Sequence, residues 1–546
     1  MSLRTILIRN LFRQKKVFHL TPCIIQSQKQ YEDRYSNRSW KNENISVGLL
    51  ASLILGTQLT ENNDNENKQN ESEPHQQAGA KRPDLPTYRA EEVSQHNNER
   101  SFWVTYKQGV YDVTSFLPSH PGGEQIYNAA GLSVEPFWNV YGMHKTKEIY
   151  ELLESYRIGN LHEDDLVDHS DDEMWAKEPF RDKRLCVKTA RPFNAETPPA
   201  EQVRHFDTPA ELFYVRQHMP VPDLDGSCHR LTVLVEGEGE RRLQLSVDEL
   251  NRFKRQEVRA ALMCAGNRRS EMNLVKPVKG LSWRTGAIGN AVWGGVLLRD
   301  VLLAAGVSDK DTEGKHVTLM GADMDATGTY FSTSIPLSHA LDERARVLLA
   351  TSMNGAPLTK DHGHPLRVVV PGAPAVRSVK WLQCIKVSSE ESPSHWHQRD
   401  YRSFGPSVSW ETADFPSAPP VYSLPVTSAV CSPEDGDTVR PRRGALHVQG
   451  YAYSGGGAKI IRVEVSTDRG ATWREARLRS DSAPPREHYS WTLWDVDLPA
   501  AGPQMEIWVK ATDSNFNAQP ENFRDIWNIR GIISNAYHKI KVNVEQ

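Results

Sequence analysis

The chain has 546 residues, 38% of them hydrophobic and 25% charged, with a formal net charge of -4. A single core rarely grows past about 250–300 residues, so more than one domain is expected. The near-neutral charge leaves no strongly basic field to displace counterions, which speaks against a nucleic-acid binder.

Residues 1–30 contain no acid, yet carry Arg4, Arg9, Arg13, Lys15 and Lys16. On a helical projection Leu3, Leu7 and Leu11 share one face, and Arg9, Arg13 and Lys16 fall opposite. A basic, amphipathic, acid-poor start is the pattern of a mitochondrial transit peptide. The apolar stretch Ile45 to Thr57 follows; it is shorter than the ~20 residues a membrane span needs. Together the two segments predict sorting to the intermembrane space, with no stable membrane span in the mature protein. From Gln58 to Pro83 the composition is Asn, Gln, Glu and Lys, too polar to order itself. Residues 1–83 are therefore expected to be an address followed by a linker.

Residues 84–162 read as a small domain. Phe102, Val104 and Tyr106 alternate with polar neighbours, and Val110 to Val113 form a second strand after a turn at Gly109. His120-Pro121-Gly122-Gly123 follows, then helical spacing through Ile126, Ala129 and Ala130. A second histidine, His144, comes twenty-four residues after the first. Leu152, Leu153 and Tyr156 predict a closing helix ending at Gly159. Pro121 keeps His120 out of a helix, and the paired glycines allow close backbone approach. The run D-V-T-S-F-L-x-x-H-P-G-G with His144 beyond it resembles the cytochrome b5-type domains. That resemblance implies haem b, with His120 and His144 on the iron. Two axial imidazoles leave no open position, so such a haem carries electrons.

Residues 163–178 hold eight acids and little to pack, and predict a solvated hinge. Such a tether would let the haem domain swing between donor and acceptor, and its charge favours a basic redox partner.

Residues 179–425 mix short strands and helices. Leu231, Val233 and Val235 alternate as a strand ending at Gly237, and Val368 to Val370 form a β-branched run before Pro371. The absence of G-x-G-x-x-G and of a P-loop argues against a dinucleotide or nucleoside triphosphate. The six cysteines are scattered, with no C-x-x-C pair, which excludes a zinc or disulfide scaffold and leaves one functional thiol open. Cys264 is the candidate, because small residues and the arginines 268 and 269 flank it, a setting that stabilises a thiolate. A thiolate suits a high-valent metal. Phe213 to His218 puts Arg216 beside aromatic rings.

C-A-G-N-R-R-S-E-M from Cys264, then K-G-L-x-W-R-T-G-A-I from Lys279, resemble the sulfite oxidase family, over a span running from Arg191 to the C-terminus. The resemblance implies a molybdenum–pyranopterin cofactor with Cys264 as the protein ligand. It also implies a sulfite pocket of Arg216, Arg269, Arg530, Tyr401 and Trp283, with His218, Asp323, His362, Arg367, Arg377, Ser378 and Lys380 around the pterin. Guanidinium forks suit a compact oxyanion. One departure is Ala375-Val376, where the family has Gly-Ala, which bears on Arg377 and Ser378. The implied reaction is oxygen-atom transfer to sulfite, with electrons passing through the haem to cytochrome c.

Residues 426–546 turn to short strands. Ile461, Val463 and Val465 alternate, a turn follows at Asp468-Arg469-Gly470, and Met505, Ile507, Val509 and Ile540, Val542, Val544 repeat the pattern. This predicts an immunoglobulin-like sandwich, which in the resembled family makes the homodimer. The whole reads as a multidomain α+β chain: a cytochrome b5-like haem domain, a mixed α+β molybdopterin domain and a β-sandwich. Nitrate reductases are the alternative, but they place the haem after the molybdenum domain. A second alternative is a non-catalytic haem electron carrier.

Overall fold

The computed structural model describes residues 78–545 except 141–143, 168, 170–174, 176, 238, 240, 311 and 326. The expected transit and apolar segments lie outside the described residues. Those described belong to one packed unit.

The haem-type module is a five-stranded sheet in the order Thr87–Tyr88, Arg157–Leu161, Gly109–Asp112, Ser101–Tyr106, Asn97–Asn98. Phe102, Val104 and Tyr106 face its core, as their alternation requires. The segment after His120 winds as a 3₁₀ helix, Gly123–Ala129, rather than an α-helix. The closing helix is Lys147–Ser155, with Thr146 Oγ1 accepting from Ile149 N at 3.5 Å. It stops before Gly159, contrary to the expectation, because Arg157–Leu161 is needed as a strand beside Gly109–Asp112. The module also begins earlier than its polar composition suggested. Ala78 is buried, Gly79 N donates to Glu154 Oε1 at 2.9 Å, and Arg82 N donates to Asn160 Oδ1 at 2.8 Å.

The first described hinge residues are exposed and carry surface ion pairs. Glu163 pairs with Lys81 at 2.7 Å, and Arg89 with Asp164 and Asp165. At the far end Trp175 is buried, and Glu178 Oε1 accepts from Val221 N.

The central domain holds two sheets. One runs Arg241–Ser246, Arg230–Val235, Leu382–Ser388, His316–Met324, Tyr330–Pro336. The other runs Arg255–Met263, Ile288–Leu297, Leu348–Met353, Ala356–Pro357, with Arg367–Val369 pairing off Leu348–Met353. Leu231, Val233 and Val235 enter the main core with Leu298, Val301 and Leu302 of helix Leu298–Ala304. A small sheet, Cys186–Thr189, Asn194–Glu196, Val215–Arg216, ends on Arg216.

The C-terminal domain is a sandwich of a four-stranded and a five-stranded sheet around Val448, Val463, Ile507, Val509 and Ile540. Asp468 caps its turn, accepting from Thr472 N at 2.9 Å and Thr472 Oγ1 at 2.6 Å. One position departs from the alternation. A bulge between Ile460 and Arg462 turns Ile460 inward, to 2% exposure, and leaves Ile461 41% exposed. Ile460→Ala is accordingly expected to cost about 2–5 kcal/mol. Ile461→Ala should stay within about 0.5 kcal/mol. Thermal melts of the two variants check this, and equal losses would remove the bulge assignment.

Candidate active site

Strand Arg255–Met263 delivers Cys264 to the wall of a cavity of about 700 Å³, the open solvent at its mouth included. Its turn is fixed by Cys264 N donating to Ala287 O at 2.9 Å and Asn267 N donating to Cys264 O at 3.0 Å. Asn267 in turn donates to Tyr451 Oη at 2.8 Å, anchoring the loop on the sandwich domain. The cavity wall contains Cys264, Arg216, Tyr401, His218, Asp323, His362, Arg367, Ser378 and Lys380, which the sequence scatters over 186 positions.

Two polar atoms on this wall are buried with no protein partner, His218 Nε2 and Asp323 Oδ1. Burial pushes the Asp323 carboxyl up to about 7 against the pull of Lys380, and holds the His218 imidazole well below its usual range. Leaving such atoms unpaired is costly, so the wall is built for a heterocyclic ligand that supplies partners. Lys380 Nζ donates to Arg216 O at 3.1 Å, Asp361 O at 3.0 Å and Gln217 Oε1. Burial lowers it to about 7. Arg367 donates to His362 O and Ser378 O, and burial lowers it to about 10. His362 Nε2 lies 3.0 Å from Ala210 O. A neutral imidazole, a buried carboxyl coupled to a buried ammonium, and the Arg367 guanidinium match the mixed amide and phosphate chemistry of a pyranopterin, and the residues fit that group.

Four expected residues stand behind the wall. Arg269 donates through Nε to Gly531 O at 2.8 Å and through Nη1 to Leu281 O at 2.9 Å. A side chain at Gly266 or Gly280 would come within 2.6 Å or 2.7 Å of its guanidinium and force it to shift, and Gly280 also takes φ +120°. Burial lowers its pKa, with Cys264 as the strongest opposing charge. Arg530 is held by Asp400, with Nη2 2.6 Å from Oδ1. Burial pushes the Asp400 carboxyl up, but Arg530 and His395 outweigh it and hold it far below the carboxylate range. Trp283, expected to line the pocket, is instead fully buried in the core beside Cys264, Phe213 and Trp293. Arg377 also turns away from the cavity. It donates to Val421 O, Thr333 Oγ1 and His397 Nδ1, and burial lowers it to about 10. Ala375 and Val376 line the cavity in its stead, so the departure from Gly-Ala sits on the cavity wall itself. Ser378 Oγ accepts from Val370 N, bracing the loop.

Arg268 is not the second thiol-side cation its position suggested. It adopts φ +63° and spends its guanidinium on Glu271, Ser428 O and Ala536 O. Tyr401 follows a single π-helical turn, Trp396–Asp400, a local irregularity common at functional sites. Burial pushes its hydroxyl up to about 12, so it stays a donor at neutral pH.

In the haem-type module the rings of His120 and His144 lie 6.3 Å apart between centroids with their planes at 10°. That spacing leaves room for a metal bonded to both at about 2 Å. His120 Nδ1 lies 3.0 Å from Gly123 O, which fixes the ring, and Gly123 takes φ +57° to bring that carbonyl round. Burial lowers the His120 pKa, favouring the neutral imidazole that ligation needs. Trp138 stacks on His144 at 5.6 Å and 6°.

Three family models match in chain order: the cytochrome b5-like heme/steroid binding domain over residues 89–162, the oxidoreductase molybdopterin binding domain over 218–396, and the Mo-co oxidoreductase dimerisation domain over 418–545. The mitochondrial sulfite oxidase of Drosophila melanogaster is 49% identical over 474 residues, covering 85% of this chain and 82% of its own. That of Rattus norvegicus is 44% identical over 519 residues, covering 94% and 91%. The chain belongs to the sulfite oxidase family. The crystal structure of the sulfane dehydrogenase SoxCD of Paracoccus pantotrophus shares the fold, with TM-score 0.54 and 24% identity over 70% of this chain and 93% of that one.

As a sulfite oxidase family member the chain binds a molybdopterin and a haem, and its sandwich is a dimerisation domain. Sequence reasoning missed several members of the cavity wall: Tyr214, Gln217, Phe331, Asp361 and Trp381. Gln217 stands between Arg216 and His218, and Asp361 precedes His362. Proximity to those neighbours was the only available signal, since burial and pairing decide their roles. No helix of the described residues is long and apolar enough to cross a membrane.

Proposed function

We propose that the chain oxidises sulfite to sulfate, drawing the added oxygen from water and passing two electrons singly through haem b to cytochrome c. Cys264 carries the reading. It is a buried thiol on a cavity wall that also presents Arg216, Tyr401 and the two unpartnered polar atoms of His218 and Asp323. When bound there, the molybdenum–pyranopterin supplies oxygen-atom transfer and the haem supplies a one-electron store.

The chain's own residues divide the work. Cys264 is the thiolate ligand. Arg216, the one substrate-pocket arginine on the wall itself, binds the oxyanion, and the Arg269 charge adds to the field from behind. Arg530 fixes Asp400 and through it the turn that presents Tyr401, whose hydroxyl donates to the oxyanion. His218 and Asp323 hold the pterin ring, and His362, Arg367, Ser378 and Lys380 hold its phosphate side. Arg377 braces the wall from outside. His120 and His144 ligate the haem iron.

The working form is a homodimer through the sandwich domain. The family is mitochondrial in its named relatives, and the acid-free start of this chain supports delivery to the intermembrane space, where cytochrome c is the fitting acceptor.

Purified protein is expected to contain molybdenum and haem b in equal amounts and to reduce cytochrome c on addition of sulfite. Molybdenum-loaded protein that ignores sulfite but reduces nitrate would overturn the assignment in favour of a nitrate reductase-like reaction. Protein with haem but no molybdenum would leave only an electron carrier.

A further inference from the structure

The haem module touches the molybdenum domain through residues the catalytic reading leaves unused. Lys279, the lysine of the K-G-L motif, donates from Nζ to Pro121 O at 2.7 Å, the carbonyl next to His120. The Gln125 amide lies 2.8 Å from His395 Nδ1. Both contacts lead inward to the same place. The Lys279 ammonium sits 4.2 Å from the centroid of the Trp410 ring, and the Arg530 guanidinium sits 5.5 Å from that same ring. His395 Nε2 is 3.6 Å from Asp400 Oδ1, the oxygen that holds Arg530 at 2.6 Å. Asp400 is followed directly by Tyr401 on the cavity wall.

We propose that Lys279, Trp410 and His395 form the seat on which the haem module docks to take electrons from the active site, with Trp410 as the positioning residue. The inference rests on the proposed sulfite oxidation.

Two cations this close repel, and Arg530 does depress the Lys279 pKa, after burial. The electron-rich face of an indole attracts a cation, so one ring serving both keeps them at a set spacing. Trp410 is itself steadied by Phe415 at 6.1 Å, and Phe415 by Phe404 at 5.0 Å. The outward contacts are few and polar, and Lys279 is exposed. Such a seat is reversible, as a carrier that must also reach an external acceptor requires. One electron crosses per docking; an oxidised haem-protein acceptor removes it, and a second docking takes the other. Sulfite and water thereby give sulfate, two protons and two electrons, and two acceptor molecules are reduced.

The test is stopped-flow haem reduction in the full-length holoenzyme after mixing with sulfite. Lys279→Met and Trp410→Leu are expected to slow it about tenfold at saturating sulfite. The sulfite concentration for half-maximal rate should not move. Lys279→Arg, which keeps the cation, and Trp410→Phe, which keeps a ring, should recover most of the rate. An unchanged rate in Lys279→Met, a shift in half-saturation instead of rate, or a Lys279→Arg as slow as the methionine variant would each overturn the seat. A second measurement separates this from the activity reading. A short bis-maleimide should join Gln125→Cys to His395→Cys within one chain, seen after cutting the hinge, and in neither single variant. A cross-link in the double variant beside parent protein that sulfite cannot reduce would keep the seat and sink the sulfite reading. No cross-link, with parent protein that sulfite does reduce, would sink the seat alone.

Discussion

Cys264→Ser is expected to bring sulfite-driven reduction of cytochrome c down to background while the haem spectrum stays that of the parent. The two halves of that result come from different places in the chain. Cys264 closes strand Arg255–Met263 and faces the cavity, whereas His120 and His144 sit in a module with its own sheet and core. Serine nearly matches cysteine in size but does not give an anionic ligand at neutral pH, so the change removes a bond to the metal without opening a void. The fold should survive. The loop is held by the backbone bonds of Cys264 with Ala287 and Asn267 and by the Asn267 link to Tyr451, none of which uses the thiol. An added buried hydroxyl costs about 1–3 kcal/mol if unpaired. Steady-state assay with haem and molybdenum content measured on the same preparation decides the matter. Retention of more than a few per cent of the parent rate would show that another residue supplies the ligand.

Motifs carried by short contiguous runs were legible in the sequence. The H-P-G-G turn and the alternation of Leu231, Val233 and Val235 each have a local physical cause, a turn or a pleat. Side-chain direction across a long separation was not. Arg268 and Arg269 are adjacent and look alike, yet one faces away to Glu271 and the sandwich while the other sits against Cys264. The difference lies in the left-handed backbone at Arg268 and in the room left by Gly266 and Gly280. Trp283 and Arg377 stand behind the wall, because their motifs fix where they are in the chain but not which side of the wall they occupy. Ile461 was misplaced by a bulge that leaves no compositional mark. The hinge's ion pairs were equally out of reach of the sequence. Its acidity suggested solvent on all sides, and the pairing with Lys81 and Arg89 depended on residues about 75–82 positions earlier.

The strongest structural dependence that sequence reasoning overlooked lies at the exit of that hinge. Arg181 grips Asp361 with both arms, Nη2 to Oδ1 at 2.7 Å and Nε to Oδ2 at 2.9 Å, and lies 4.1 Å over the Phe193 ring. The two side chains are only 11% and 9% exposed. The Asp361 carboxylate also accepts from Gln217 Nε2 at 3.0 Å, and Lys380 donates to the Asp361 backbone carbonyl and to Gln217 Oε1. Arg181→Ala therefore leaves a carboxylate buried without its partner. Breaking a buried pair from one side costs about 3–5 kcal/mol. At about 2–4 °C per kcal/mol for a domain of this size, the melting temperature should fall by roughly 10 °C. Asp361→Asn in the same chain removes the orphaned charge, so the double variant should be more stable than Arg181→Ala alone, a non-additivity that a mere packing loss would not produce. Calorimetry of the parent, both singles and the double closes the cycle. A fall below about 2 °C in Arg181→Ala, or strictly additive shifts, would mean that solvent or Lys380 already satisfies Asp361, and the cofactor wall would then owe nothing to the hinge.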